Sequence, residues 1–276
     1  LRVWSGATLE SHAFYRACDE MGLLVWQEFP LSSSGLDNWP PEDPDAVEQM
    51  AAIVESYVGR RCHHASLLLW CGGNELHGGP DGEKAGVGRP IDETHPMIAR
   101  MADVVATRDP GRRFLPTSSS GPRFDADSAE FGHGLHHDVH GPWSLPGGTL
   151  ESARRYWEQD DSLFRSEVGA PGAGPEDLIE EYSGGLPTMP ASAENPLWRR
   201  SSWWIEWDEF LACRGRDAGD PTLSEFVAWS ASRQARALEL AARSVKRRFP
   251  GAGGFIVWMG HDSFPCTANT AVLDFY

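Results

Sequence analysis

Asn74 and Glu75 end a six-residue stretch, Trp70-Cys71-Gly72-Gly73-Asn74-Glu75, whose residue types suit acid–base chemistry on a hydroxylated substrate. The stretch follows Ser66-Leu67-Leu68-Leu69, an apolar run of the kind that forms a buried parallel strand. Two glycines then allow a sharp turn, and an amide and a carboxylate follow where the strand would end. In an α/β barrel the carboxyl ends of strands carry the reacting groups. There a glutamic acid can protonate a leaving oxygen, and an asparagine can hold a sugar hydroxyl. A turn that only caps the next helix would use the same two residues.

A second carboxylate weighs against that simpler use. Ser162-Leu163-Phe164-Arg165-Ser166-Glu167-Val168-Gly169 reads as a short strand running into a Gly- and Pro-rich turn, with Glu167 at its exit. Glu75 and Glu167 are 92 positions apart (167 − 75), room for about three strand–helix units. Two carboxyls about 5–5.5 Å apart across a glycosidic bond are the requirement of retaining glycoside cleavage, one as acid/base and one as nucleophile. A structural ion pair of Glu167 with Arg165 or Arg123 is the competing use.

The elements that would position these groups alternate between strand and helix, which predicts a parallel α/β fold. Strands are expected at Leu1–Trp4, Leu23–Gln27, Leu67–Trp70, Phe114–Thr117, Gly134–His140, Leu163–Ser166 and Gly254–Trp258. Helices are expected at Glu10–Met21, Asp45–Arg61, Ile91–Thr107, Leu150–Gln159, Trp203–Leu211 and Ser224–Arg248. Pro- and Gly-rich loops fall at Leu31–Pro44 and Gly78–Gly88. Residues 181–222 form a Trp-rich excursion within what reads as one domain over 1–276, and no internal repeat appears.

Composition narrows the classes. The 276 residues are 41% hydrophobic and 23% charged, enough for one large α/β domain. A net charge of −16 disfavours nucleic acid and anionic membranes as partners. No apolar stretch approaches the ~20 residues of a membrane span. Five scattered cysteines without a C-x-x-C predict neither a disulfide framework nor a Cys-rich metal site, and leave the compartment open. His133, His136, His137 and His140 invite a metal, but Gly132, Gly134 and Gly141 break any helix that would aim two imidazoles together. No cofactor or metal is expected. Ser118–Gly121 lacks the G-x-S-x-G elbow of a serine hydrolase. The 12 tryptophans are mostly expected in the core, but those at strand ends favour a sugar, whose rings stack on indoles.

Several segments together resemble the catalytic barrel of glycoside hydrolase family 2, nearest its β-mannosidase branch. Leu1-Arg2-Val3-Trp4-Ser5-Gly6 is similar to that branch's second strand, Phe14-Tyr15 through Gly22 to the helix after it, and Leu24-Val25-Trp26-Gln27-Glu28-Phe29 to the third strand. Trp70 to Glu75 resembles the motif of the acid/base, Asp138-Val139-His140 the sixth strand, Ser166-Glu167-x-Gly169 the nucleophile motif, and Trp258 through Asp262 and Pro265 the eighth strand. The departures lie around the sugar: Gly141-Pro142 replace two tyrosines, Met259-Gly260-His261 follow Trp258, and the tryptophan often found after the acid/base is missing from Leu76–Gly88.

The resemblance implies a (β/α)8 TIM barrel lacking its first strand and last helix in this chain, which opens without an initiator Met and reads as an excised piece. It implies a carbohydrate substrate and flanking β-sandwich domains. It implies Glu75 as acid/base and Glu167 as nucleophile, with Asn74, Trp4, His140, Trp143, Trp258 and Asp262 binding the sugar, and His140 near the nucleophile. The acid would need its pKa raised by burial and by the second carboxylate. The expected activity is a retaining, exo-acting β-glycosidase of β-mannosidase type. Alternatives are β-galactosidase, β-glucuronidase or exo-β-glucosaminidase specificity, or a non-catalytic carbohydrate-binding barrel. An anionic sugar would call for a cation, for which Arg123 is the nearby candidate.

Overall fold

A computed structural model describes residues 1–32, 39–78, 89–215 and 219–276. The chain forms two compact units, Leu1–His140 with Ser162–Ser166, and Gly141–Asp161 with Glu167–Tyr276.

The first unit is built on a four-stranded parallel sheet. In chain order its elements are β1 (Arg2–Val3), α1 (His12–Met21), β2 (Val25–Glu28), α2 (Pro44–Arg61), β3 (Leu67–Cys71), α3 (Pro96–Arg108) and β4 (Arg113–Leu115). The strand order is β1-β2-β3-β4, with Val3 beside Gln27, Gln27 beside Trp70, and Trp70 beside Phe114. Each strand therefore pairs with the one before it through a helical crossover, as the alternating pattern predicts. One face carries Val3, Val25, Leu67 and Trp70 against helix residues such as Tyr15, Val54, Val58, Ile98 and Met101. The other face carries Trp26, Leu69 and Cys71 with Leu115 and Phe164. Burial on both faces explains why these strands read as continuous apolar runs rather than alternating ones.

Helix starts have local causes. Ser11 accepts from the Phe14 N–H, and Asp43 from Asp45 and Ala46, so both helices begin on capped ends. Gly22 ends α1 with φ of 68°, the left-handed cap that glycine enters freely. Helix α3 begins at Pro96, not at Ile91 as the periodicity predicts. Proline fits the first helical turn, and His95 caps the end by accepting from Met97 N–H, so residues 91–95 stay outside. The strand expected over Gly134–His140 reduces to single bridges, Asp138 to Gly121, His140 to Asp125 and Val139 to Arg165. Its glycines and turns leave no run long enough for a ladder. The expected loops at Leu31–Pro44 and Gly78–Gly88 fall partly outside the described residues.

The second unit contains α4 (Leu150–Gln159), α5 (Glu176–Glu181), α6 (Trp207–Arg214), α7 (Leu223–Arg247) and β6 (Gly254–Val257). Strand β5 (Phe164–Val168) begins in the first unit's residues and ends in the second's. Helix α7 spans 25 residues from a capping box in which Thr222 and Glu225 satisfy each other's backbone N–H groups. It buries Phe226, Ala237, Ala241 and Val245. Around Phe226 the Trp-rich excursion packs Trp198 and Phe210 into a buried, largely aromatic core with Leu223 and Ile179 of the flanking helices. Helix α6 starts at Trp207, four residues later than expected. Arg233 binds Glu206 just before that start, and Trp203 projects outward, 85% exposed. All five cysteines are free; Cys18 and Cys71 are buried, and Cys213 is exposed. No described helix is long and apolar enough to cross a membrane.

Candidate functional site

The turn after β3 is shaped by lack of space. A Cβ on Gly72 would lie 2.1 Å from the Pro116 carbonyl oxygen, and one on Gly73 would lie 2.2 Å from that of Leu31. Neither glycine has a positive φ; the residue that does is Glu75, at 55°. The glycines thus permit close approach of neighbouring backbone, whereas the sharp bend falls on the glutamate itself. Backbone bonds lock the bend: Gly72 N–H donates to Leu115, Asn74 N–H to Leu31, and Ser118 N–H to Gly73, at 2.7–2.9 Å. Glu75 N–H donates to the Ser118 carbonyl.

Asn74 is buried, and its side-chain oxygen accepts from the Arg2 guanidinium at 2.5 Å. Arg2 also donates to Glu28 at 2.7 Å and to the Ser118 hydroxyl at 2.9 Å, and that hydroxyl donates to Glu28 at 2.6 Å. Glu28 further accepts from the Ser5 N–H at 3.0 Å. The buried ion pair is thus satisfied on several sides, as a buried charge requires. It also fixes the Asn74 amide.

The Glu75 carboxylate is bonded to the Nδ1 atom of buried His140 at 2.9 Å. Within its unit, then, His140 holds Glu75. Phe124 packs on the His140 ring and, edge-on, on that of His77. His77 is fully buried, and its Nε2 bonds to the Ser119 carbonyl at 2.9 Å. Burial pushes its pKa down to about 4, against a smaller upward pull from that carbonyl. Asp138 accepts from Ser120 and, on its other oxygen, from the Ser166 N–H and hydroxyl at 3.1 and 2.7 Å. Ser166 precedes Glu167 in the chain. Trp4 follows β1 and lays its ring over Gly6, where a Cβ would fall 2.1 Å from the indole.

In the second unit Glu167 is buried and accepts from the Trp143 indole N–H at 3.3 Å. That indole packs against Gly141 and Gly169, which have no side chains to displace it. Trp258 is half-buried and belongs to none of the apolar core clusters; its N–H donates to Val168 at 2.8 Å. Asp262 is buried and accepts from Asn269 at 2.7 Å, and burial raises its pKa. Arg123 is tied to Glu130 by two guanidinium bonds. His136 accepts from the Asp127 N–H at 3.3 Å.

The expected residues thus fall into two sets, Trp4, Asn74, Glu75 and His140 in one unit and Trp143, Glu167, Trp258 and Asp262 in the other. Arg2, Glu28, Ser118, Asp138 and His77 are the partners that sequence reasoning passed over. An arginine and a glutamate inside strand-like apolar runs were the available signal, because a buried charge in a strand needs a partner.

No family model matches the chain. The chain is 28% identical over its full length to β-mannosidase B of Thermothelomyces thermophilus, covering 33% of that protein. It is 39% identical over 185 residues to β-mannosidase B of Aspergillus fumigatus, a match covering 61% of this chain and 20% of the relative. Its fold is similar to that of a β-D-mannosidase from Dictyoglomus thermophilum, with a TM-score of 0.75 at 22% identity, over 100% of this chain and 32% of that one. The chain therefore spans a third or less of the length of these relatives. The likeness in sequence is thus to β-mannosidases, and the likeness to the solved β-D-mannosidase is one of fold.

Proposed function

We propose that this domain is the catalytic part of a retaining, exo-acting β-glycosidase that removes terminal β-mannosyl units from oligosaccharides or glycoconjugates. The observation that carries the reading is Glu75. It lies beyond the end of a buried parallel strand, is bent into a left-handed backbone, and has its carboxylate bonded by a buried imidazole. The likeness to two β-mannosidases B points to the same chemistry.

In this mechanism a Glu167 carboxylate oxygen attacks the anomeric carbon while Glu75 gives its proton to the departing glycosidic oxygen. The carbon–oxygen bond to the leaving group breaks, and a glycosyl ester to Glu167 forms. Glu75, now a carboxylate, then takes a proton from water, whose oxygen attacks the same carbon and releases Glu167. His140 orients the Glu75 carboxyl, and the Trp143 indole N–H orients that of Glu167. Asn74 holds the sugar's 2-hydroxyl through its amide. Trp4, Trp258 and Asp262 shape the sugar site. Arg123, the cation that an acidic sugar would call for, is occupied by Glu130, which favours a neutral substrate.

The architecture belongs to the same proposal. The parallel sheet is part of an eight-stranded barrel, with 181–222 as an excursion within one domain. β-Sandwich domains flank it in a longer protein. What supports this is the likeness to chains about three times as long.

The test is hydrolysis of aryl β-glycosides by the full-length protein. The β-mannoside should be turned over fastest, and the first-formed sugar should keep the β configuration by NMR. Glu75→Ala should lower kcat/KM on poor leaving groups by roughly 10²–10⁴-fold, and azide should restore much of the rate on an activated aryl glycoside. Glu167→Ala should be inactive without azide, and azide should not restore turnover with retained configuration. An inverted first product, or carboxyls farther apart than the roughly 5–5.5 Å of a retaining pair, would overturn the mechanism.

A further inference from the structure

Three histidines of the first unit form a cluster that the chemistry above does not use. His12 is the first residue of α1, and His63 and His64 occupy the turn between α2 and β3. One ring nitrogen from each lies within 4.8 Å of the others. His64 Nε2 is 3.0 Å from His12 Nδ1, and the His63 and His64 rings are 4.3 Å apart. His12 and His63 are exposed, while His64 is buried.

The buried member is held from behind. His64 Nδ1 bonds to an Asp19 carboxylate oxygen at 2.6 Å, and the other Asp19 oxygen accepts the Ser66 N–H at 2.7 Å. Asp19 thus fixes the tautomer that carries its proton on Nδ1, leaving the Nε2 lone pair directed at the other two imidazoles. A carboxylate behind a histidine is the arrangement that orients imidazoles on metal ions.

We propose that His12, His63 and His64 bind a divalent transition-metal ion of the zinc class, with water completing the coordination. Imidazole nitrogens suit zinc, nickel, copper and cobalt, whereas magnesium and calcium prefer oxygen. Three imidazoles about 2.0–2.1 Å from a tetrahedral zinc would be separated by roughly 3.4 Å. The His12–His64 spacing is already close to that, and the exposed His12 and His63 rings can turn to meet it. Arg61 is the cation nearest in sequence, and its guanidinium is directed to the Glu10 and Arg60 carbonyls. The Asp19 carboxylate adds compensating negative charge. A bound ion would clamp the start of α1 to the turn that leads into β3.

The probe is Co2+ alone, added to the intact, metal-stripped protein. One equivalent should bind and give the intense visible d–d absorption of a tetrahedral site, and Zn2+ should abolish that absorption and raise the unfolding midpoint. His12→Ala and His63→Ala alter exposed side chains, so each should keep the metal-free unfolding midpoint while binding Co2+ at least tenfold more weakly. Retention of wild-type Co2+ absorption in either variant, or no uptake by the wild type, would overturn the site.

Discussion

Glu75 has a backbone that an L-residue enters at a cost of roughly 1–2 kcal/mol. Glycine enters it freely, so Glu75→Gly should unfold at a higher temperature than Glu75→Ala, by about 1 kcal/mol, although both lack the carboxyl. Equal midpoints would show that the bend relaxes once the side chain is gone. The imidazole two residues on makes a pH prediction. His77 is held to a pKa of about 4 in the fold, below its ordinary 6.5. The unfolded chain therefore binds the proton first, so His77 lowers stability progressively as pH falls from about 6.5 to 4, by up to roughly 3 kcal/mol. Chemical denaturation across that range should show the slope, and His77→Gln should flatten it. An unchanged slope would assign the loss to other groups. At this scale the sequence disclosed the groups proposed to do chemistry better than the groups that hold them. Asn74 and Glu75 stand out by type and position. Arg2, Glu28 and Ser118 are far apart in sequence and meet only because β1, β2 and the segment after β4 are brought side by side.

Among the elements, the turn after β3 gives the sharpest prediction. Gly73→Ala drives a methyl into the Leu31 carbonyl, and Asn74 and Glu75 follow directly. It should lower kcat/KM more than it lowers thermal stability, because the displaced backbone carries both proposed site residues. A drop in midpoint with unchanged kinetics would mean that Leu31 yields instead. Thr222→Ala removes half of a capping box on the longest helix and should cost about 0.5–2 kcal/mol with no kinetic effect. Elements with strong local signals were legible: α2, α4 and α7 begin and end within a residue of their periodic patterns. The misses have physical causes. At Ile91–His95 the apolar spacing continues past a proline that sets the true start. At Trp203–Glu206 the side chains are helix-compatible, but Arg233 and Glu206 fix where the turn begins. At Gly134–His140 pairing reduces to single bridges, which no periodicity reveals.

For the whole molecule, the sheet described here pairs β1 with β2 alone among the described strands, while the relatives are about three times as long. On the proposed barrel, residues 1–276 expressed alone should melt lower and turn over far less substrate than the full-length protein, since an open strand edge invites association. Equal activity would show that the remaining chain is dispensable for catalysis. Charge and the parallel α/β pattern were readable at this scale because they are sums over many residues. The division into two units was not, because it depends on which long-range pairs form. The unpaired thiols turn that division into something measurable. Cys71 lies fully buried beneath the strand exit, with burial holding its thiol well above the ordinary range, whereas the second unit's thiols are exposed or half-buried. A brief pulse of alkylating reagent should mark Cys213 at once and leave Cys71 unmarked until the first unit opens. Mass spectrometry of the two peptides would then time that opening within the native population, with no dye or mutation introduced.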